Sequence, residues 1–240
     1  MNRDITIFTK GLAELNIELD DTKIRQFLDY YEMLIEKNKV MNLTAITEYD
    51  EVVVKHFIDS ISIGKYVEFK DGESLIDVGT GAGFPGIPLK ITYPELNITL
   101  LDSLNKRIKF LGEVKDNLNL TNLNMIHGRA EDYGQDVKYR EQYDYCVSRA
   151  VANMSTLAEY CLPFVKVGGY FISYKSGSVT DELKAAKKAL NILGADVEKV
   201  ESFMLPGSDI SRTLVFIRKY DKMKKKYPRK AGLPSKEPLS

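Results

Sequence analysis

The 240-residue chain is 44% apolar and 28% charged, with 34 basic and 34 acidic side chains, enough to bury a sizeable core and ordinary for a soluble globular protein. Its two cysteines, Cys146 and Cys161, fall in apolar strand and helix patterns and are too few for a disulfide framework or a metal cluster, so no metal site is expected. The first residues lack the apolar core of a secretory signal and no run approaches membrane-spanning length, which points to a cytoplasmic protein without a membrane partner.

Residues 1–68 read as an N-terminal helical cap, with helical periodicity from Phe8 to Leu15 and from Thr22 to Asn38. Its second half, Asn42 to Thr47 and then Lys55 to Ser60, is irregular and polar. Such a segment either lines a substrate cleft or fastens the cap, and His56 within it is either a cleft residue or a structural one. Residues 69–220 then alternate between strands at 74–79, 97–102, 123–127, 143–148 and 168–174 and helical patterns at 85–93, 104–117 and 153–162. A helix near 179–193, a strand near 196–204, a Pro-Gly-Ser-Asp turn at 206–209 and a strand at 213–217 follow. The expectation is an α/β protein with a seven-stranded, mostly parallel sheet whose terminal hairpin puts one antiparallel strand at the edge. That arrangement resembles the class I S-adenosylmethionine-dependent methyltransferase sheet more than a dehydrogenase, which would build a second mononucleotide half.

Between the first strand and its helix lies Asp77-Val78-Gly79-Thr80-Gly81-Ala82-Gly83-Phe84-Pro85-Gly86. Gly79, Gly81 and Gly83 allow a tight strand-to-helix turn, often at positive φ, and let a ligand approach the backbone. The next strand delivers Asp102, nineteen residues beyond Gly83, where an acid would hold a ribose hydroxyl pair. The same glycines satisfy a dinucleotide fingerprint, but Asp77 at the strand end would oppose a pyrophosphate, and Pro85 lacks the N–H a phosphate would use. A cationic, phosphate-free adenosyl sulfonium tolerates a carboxylate there; otherwise Asp77 is a loop cap.

Residues 221–240 carry seven basic against two acidic side chains, a net +5 that leaves −5 on the rest of a formally neutral chain. This basic tail is either an arm for the phosphate backbone or a solvated end. Lys106, Arg107, Arg129, Arg149, Lys175 and Arg212 fall at strand ends or in adjoining loops and helix starts, and are expected around one crevice at the carboxyl edge of the sheet.

Five blocks carry a more specific likeness: Asn42-Leu43-Thr44-Ala45; His56-x-x-Asp59-Ser60; Asp77 through Pro88; Leu101-Asp102-Ser103-x-x-Lys106-Arg107; and Ser148-Arg149-Ala150. Together they resemble the glucose-inhibited division protein B family, the small-subunit ribosomal RNA guanine-N7 methyltransferases. The likeness continues weakly to Lys175 and Arg212, and the ending from Tyr227 to Leu239 resembles the tail of Gram-positive members; Lys175-Ser176-Gly177 departs from the family's usual lysine-glycine pair. The resemblance implies methyl transfer from S-adenosylmethionine to N7 of a guanine in the decoding-region loop of 16S ribosomal RNA. It further implies that Gly79 and Phe84 contact the cofactor, Asp102 its ribose, and Ala130 and Glu131 its adenine side, with Arg149 near the reacting centre as the catalytic residue. Asp77, Gly81 and Gly83 complete the expected cofactor set, and His56, Lys106, Arg107, Lys175 and Arg212 the RNA-binding set.

What the sequence omits agrees with that chemistry. Guanine N7 is an unprotonated lone pair and needs no base; the cysteines lack the Pro-Cys setting of a cytosine-C5 nucleophile. After the fourth strand stands Ser148-Arg149-Ala150-Val151 rather than the Asn/Asp-Pro-Pro-aromatic run of exocyclic-amine enzymes. A nicotinamide oxidoreductase and a noncatalytic RNA-binding protein are the rivals. The partner expected is 16S RNA or the small ribosomal subunit, and the protein is expected to be a monomer.

Overall fold

The computed structural model describes residues 3–149 and 152–239. Two helices open the chain, α1 (Thr6–Glu14) and α2 (Asp21–Met41). The Asp20 carboxylate accepts from Lys23 N–H at the start of α2, and Asn42 ends that helix in the left-handed conformation at φ 50°. The stretch expected to be irregular at 55–60 is helical instead. α3 (Tyr49–Val52) runs into a π-helix at Val53–Ile58, then α4 (Asp59–Ile61) and a 3₁₀ turn at Ser62–Lys65. The wider π turn explains why no 3.6-residue period is visible there.

The sheet comprises β1 (Ser74–Val78), β2 (Asn97–Asp102), β3 (Leu123–His127), β4 (Tyr143–Ser148), β5 (Val165–Ser176), β6 (Ala195–Met204) and β7 (Ser211–Lys219), in the order β3-β2-β1-β4-β5-β7-β6. Helices α5 (Gly86–Thr92), α6 (Asn105–Asn117), α7 (Ala130–Tyr133), α8 (Met154–Cys161) and α9 (Thr180–Ile192) connect them, and α10 (Leu233–Lys236) lies in the tail. The first five strands are parallel; β7 pairs antiparallel with both β5 and β6. The antiparallel edge is therefore a hairpin in which β7 lies one strand in and β6 outermost. β5 begins three residues earlier than its apolar run suggests, because Val165 pairs with Tyr143 before a register shift.

One sheet face and the cap share a single apolar core. Phe8, Phe27 and Phe57 meet with ring centroids 4.9 and 5.0 Å apart along that series, and Tyr30 lies 5.7 Å from Phe57. Each such buried ring contributes about 2–3 kcal/mol through removal from water. The opposite face is covered by α8, α9 and the tail residues Met223 and Tyr227. Both layers leave the carboxyl ends of β1, β2, β4 and β5 pointing at one edge, where ligands bind in open α/β sheets.

Candidate active site

The glycine loop has the backbone its sequence requires. Gly79, Gly81 and Gly83 sit at φ 75°, 63° and 108°. A Cβ on Gly79 or Gly81 would meet open space, whereas on Gly83 it would lie 2.7 Å from the Tyr30 hydroxyl and Ile87. Gly83 is thus fixed by packing of the cap onto the loop, reinforced by the Tyr30 hydroxyl donating to Ala82 O at 2.5 Å.

Asp77 lies beneath this loop. Its Oδ2 accepts from Thr80 Oγ1 at 2.7 Å and from Gly86 N at 2.9 Å, so the first helical N–H of α5 is already bound. The side chain is fully buried, its Oδ1 has no partner among the described residues, and burial pushes its pKa up to about 6. Asp77 lines neither of the two cavities that open at the carboxyl edge of the sheet and has the geometry of the loop cap.

The first of those cavities, about 490 Å³, opens beside Gly79. Val78, Leu101, Leu104, Ala130 and Leu157 give it apolar walls, and Asp102 and Glu131 supply carboxylates. Asp102, 3% exposed, accepts from Leu104 N at 2.8 Å, from Gly81 N at 2.9 Å and from Arg107 Nη1 at 3.2 Å. It therefore holds the glycine loop against β2 while bordering the cavity, and two carboxylate oxygens can accept more than these three bonds. Glu131 Oε1 is taken by the backbone N–H of Gly232 at 2.7 Å. The set fits an adenosyl cofactor: an acid for a diol, apolar flanks for a base, and a side-chain-free loop where Gly79 borders the space.

The second cavity, about 520 Å³, adjoins the first through Ala152. Arg149, at the end of β4, donates from Nη1 to Asp59 Oδ2 at 2.9 Å and to Lys55 O at 3.1 Å. Arg212, from the start of β7, donates from Nε to Asp59 Oδ1 at 2.8 Å. One carboxylate, 2% exposed, thus orients two guanidinium groups. Lys175 Nζ is held by Ala152 O at 2.8 Å and Glu182 Oε1 at 2.7 Å. His56 is held at both ring nitrogens: Nε2 lies 2.8 Å from Thr44 Oγ1, and Nδ1 lies 3.0 Å from Lys55 O and 3.2 Å from Arg149 Nη2, donating to the first in one tautomer or accepting from the second in the other. Burial, then the Arg149 charge, lowers its pKa to about 3, so the ring is neutral.

The cations expected around one crevice therefore divide. Arg149, Lys175 and Arg212 share the second cavity with His56, while Arg107 pairs with Asp102 and Arg129 lines the first. Lys106 is exposed on α6 and lines neither. Arg149, expected against the cofactor, lines the second cavity and not the first. Phe84 lines neither: it stacks on His56 at 4.5 Å, lies 5.5 Å from Tyr30, and carries the Arg149 guanidinium 5.0 Å from its centroid. Ala150 and Val151 lie outside the described residues.

A family profile described as "GidB: rRNA small subunit methyltransferase G" matches residues 23–214. The chain belongs to the GidB family. Similar proteins named "Ribosomal RNA small subunit methyltransferase G" include that of Lachnoclostridium phytofermentans, 54% identical over 99% of this chain and 98% of the relative. The protein of Alkaliphilus metalliredigens is 52% identical over 97% and 98%. Among solved structures, MtNAS in complex with MTA and tNA aligns at 16% identity with TM-score 0.55, covering 82% of this chain and 71% of that one. P. horikoshii TYW2 in complex with MeSAdo aligns at 15% and 0.54, covering 68% and 62%. At such identities the likeness is one of fold, and that fold is the class I methyltransferase sheet. Asp59, Lys55 and Tyr174 join the second cavity without having been singled out as site residues, although Asp59 stands in the His56-x-x-Asp59 block. Gly232 and Ser235 join the first, and their signal lay in the buried Tyr227 and Pro234 of the tail rather than in its charge.

Proposed function

We propose that this member of the GidB family methylates N7 of one guanine in the decoding-region loop of 16S ribosomal RNA, using S-adenosylmethionine held in the 490 Å³ cavity. The observation that carries the reading is the adjoining pair of cavities, one built around an acid and a glycine loop, the other around Arg149, Lys175 and Arg212. When bound, S-adenosylmethionine supplies an electrophilic methyl on a sulfonium centre. Gly79, Gly81 and Gly83 shape its loop, Asp102 takes the ribose hydroxyls, and Ala130 and Glu131 close the adenine side.

On the RNA side, the guanidinium groups of Arg149 and Arg212, fixed by Asp59, face an electron-rich base edge and the phosphates that flank it. Arg149 is the residue assigned to orient the guanine. His56, neutral and bonded on both nitrogens, contributes shape through its stack with Phe84. No group has to remove a proton, because N7 attacks as a lone pair; the protein's part is alignment, for which proximity accounts for about 7–11 kcal/mol at its upper range. Lys106, Arg107 and the exposed tail lysines extend the contact with phosphate, and the protein works as a cytoplasmic monomer.

The test is transfer of labelled methyl from S-adenosylmethionine to small-subunit RNA or particles from a strain lacking this protein, with the product located by 7-methylguanine-specific cleavage. One labelled guanine in the decoding-region loop supports the reading. RNA binding without methyl transfer would leave a noncatalytic binding protein.

A further inference from the structure

The cofactor cavity has a wall that neither the glycine loop nor the strand ends supply. Gly232 and Ser235, from the C-terminal tail, line it beside Leu157 and Tyr160 of α8. The tail is pinned there by bonds to residues far away in the chain. Arg229 grips Glu159 on both oxygens, Nε to Oε1 at 2.9 Å and Nη2 to Oε2 at 2.6 Å, and its backbone N–H also donates to Oε1. Glu159 is fully buried, so an unpaired carboxylate there would be strongly unfavourable and the pair commits the tail to this position. Further along, Gly232 N donates to Glu131 Oε1 at 2.7 Å, and Thr156 Oγ1 donates to Pro234 O at 3.1 Å. Arg140 secures the preceding turn through Tyr227 O at 2.7 Å and Met223 O at 3.0 Å.

We propose that residues 227–236 are a cofactor-binding strap, and that Glu131 is a positioning residue acting through the backbone of Gly232. The proposal rests on the reading of this cavity as the cofactor site. It changes the part given to Glu131: one of its two oxygens, Oε1, is occupied by the strap, so the strap, set by Glu131, lines the cavity beside it. The Gly232 backbone, at φ 83°, turns the chain so that the N–H reaches Glu131 while Ser235 borders the cavity. Association of the ligand with both Gly79 and the strap would then tie the glycine loop to the C-terminal tail.

The experiment uses the full-length chain and S-adenosylhomocysteine, with affinity from calorimetry and strap order from amide hydrogen exchange. In the wild type, amides of 229–236 are expected to exchange more slowly when the ligand is bound. Glu131→Ala is expected to weaken binding about tenfold and to speed strap exchange, while Glu131→Gln, which keeps the acceptor oxygen, restores both. The chain has no tryptophan, so Ser235→Trp gives a single tryptophan, excited selectively over the tyrosines, whose emission should respond to ligand even if the alanine variant fails to fold. Binding by the wild type with unchanged strap exchange, together with no change in emission from the Ser235→Trp variant, would overturn the strap alone. Equal weakening by both Glu131 variants, with the strap undisturbed, would return Glu131 to direct contact and refute its positioning role. Absence of any binding by the wild type would overturn the cofactor-site reading and the strap with it.

Discussion

Asp59 accepts from Arg149 at 2.9 Å, joining a cap helix to the end of β4 across 90 residues of chain. The same carboxylate accepts from Arg212 at 2.8 Å, so removing it leaves two cations without their common acceptor. Asp59→Ala is expected to lower methyl transfer about a hundredfold through misplacement, and to cost about 3 kcal/mol of stability. Turnover and denaturant unfolding check the two parts separately; normal turnover would show that the two guanidinium groups keep their places unaided.

Asp102 binds the glycine loop as well as facing the cavity, so its loss acts twice. Asp102→Ala is expected to weaken S-adenosylhomocysteine binding about 10- to 100-fold, the range for one charge-assisted hydrogen bond. An unchanged dissociation constant by calorimetry would refute the ribose assignment.

His56 has its pKa lowered from the ordinary 6.5 to about 3, chiefly by burial. A folded-state value below the unfolded one means that the unfolded chain binds the proton first. The contribution to stability is complete above about pH 6.5 and is lost as pH falls from there toward about 3. The His56 ring resonances are therefore expected to stay fixed between about pH 8 and 5 in an NMR titration. A midpoint near 6.5 would show a ring open to solvent.

Asp77 titrates in the opposite sense. Its folded value near 6 lies above the ordinary 3.8, so its contribution is greatest below about 3.8 and is lost as pH rises through about 6. Comparing wild type with Asp77→Asn, which cannot ionise, the wild type is expected to lose a few kcal/mol relative to the variant between about pH 4 and 7. A stability difference flat with pH would mean the carboxylate is ionised throughout.

The sheet and its loop were legible in the sequence because their signals are local: apolar runs, closely spaced glycines, and an acid at the end of β2. The segment around His56 was not, since the π turn puts Val53, Val54, Phe57, Ile58 and Ile61 inside without a regular helical period. The tail was read from its lysines, which stay exposed, while its position is decided by Glu159, seventy residues earlier. The division of cations between two cavities was equally hidden, because only the folded path of the cap brings Asp59 between Arg149 and Arg212.

Since β7 runs against its neighbours, the turn at 205–210 emerges beside the ends of β4 and β5. Insertions or deletions in that turn would move the surface next to Arg212 while leaving the loop at Gly79 and the acid at Asp102 in place. With the two cavities assigned as proposed, the hairpin would offer a site for altering which RNA shape is accepted without touching the loop proposed to hold the methyl donor.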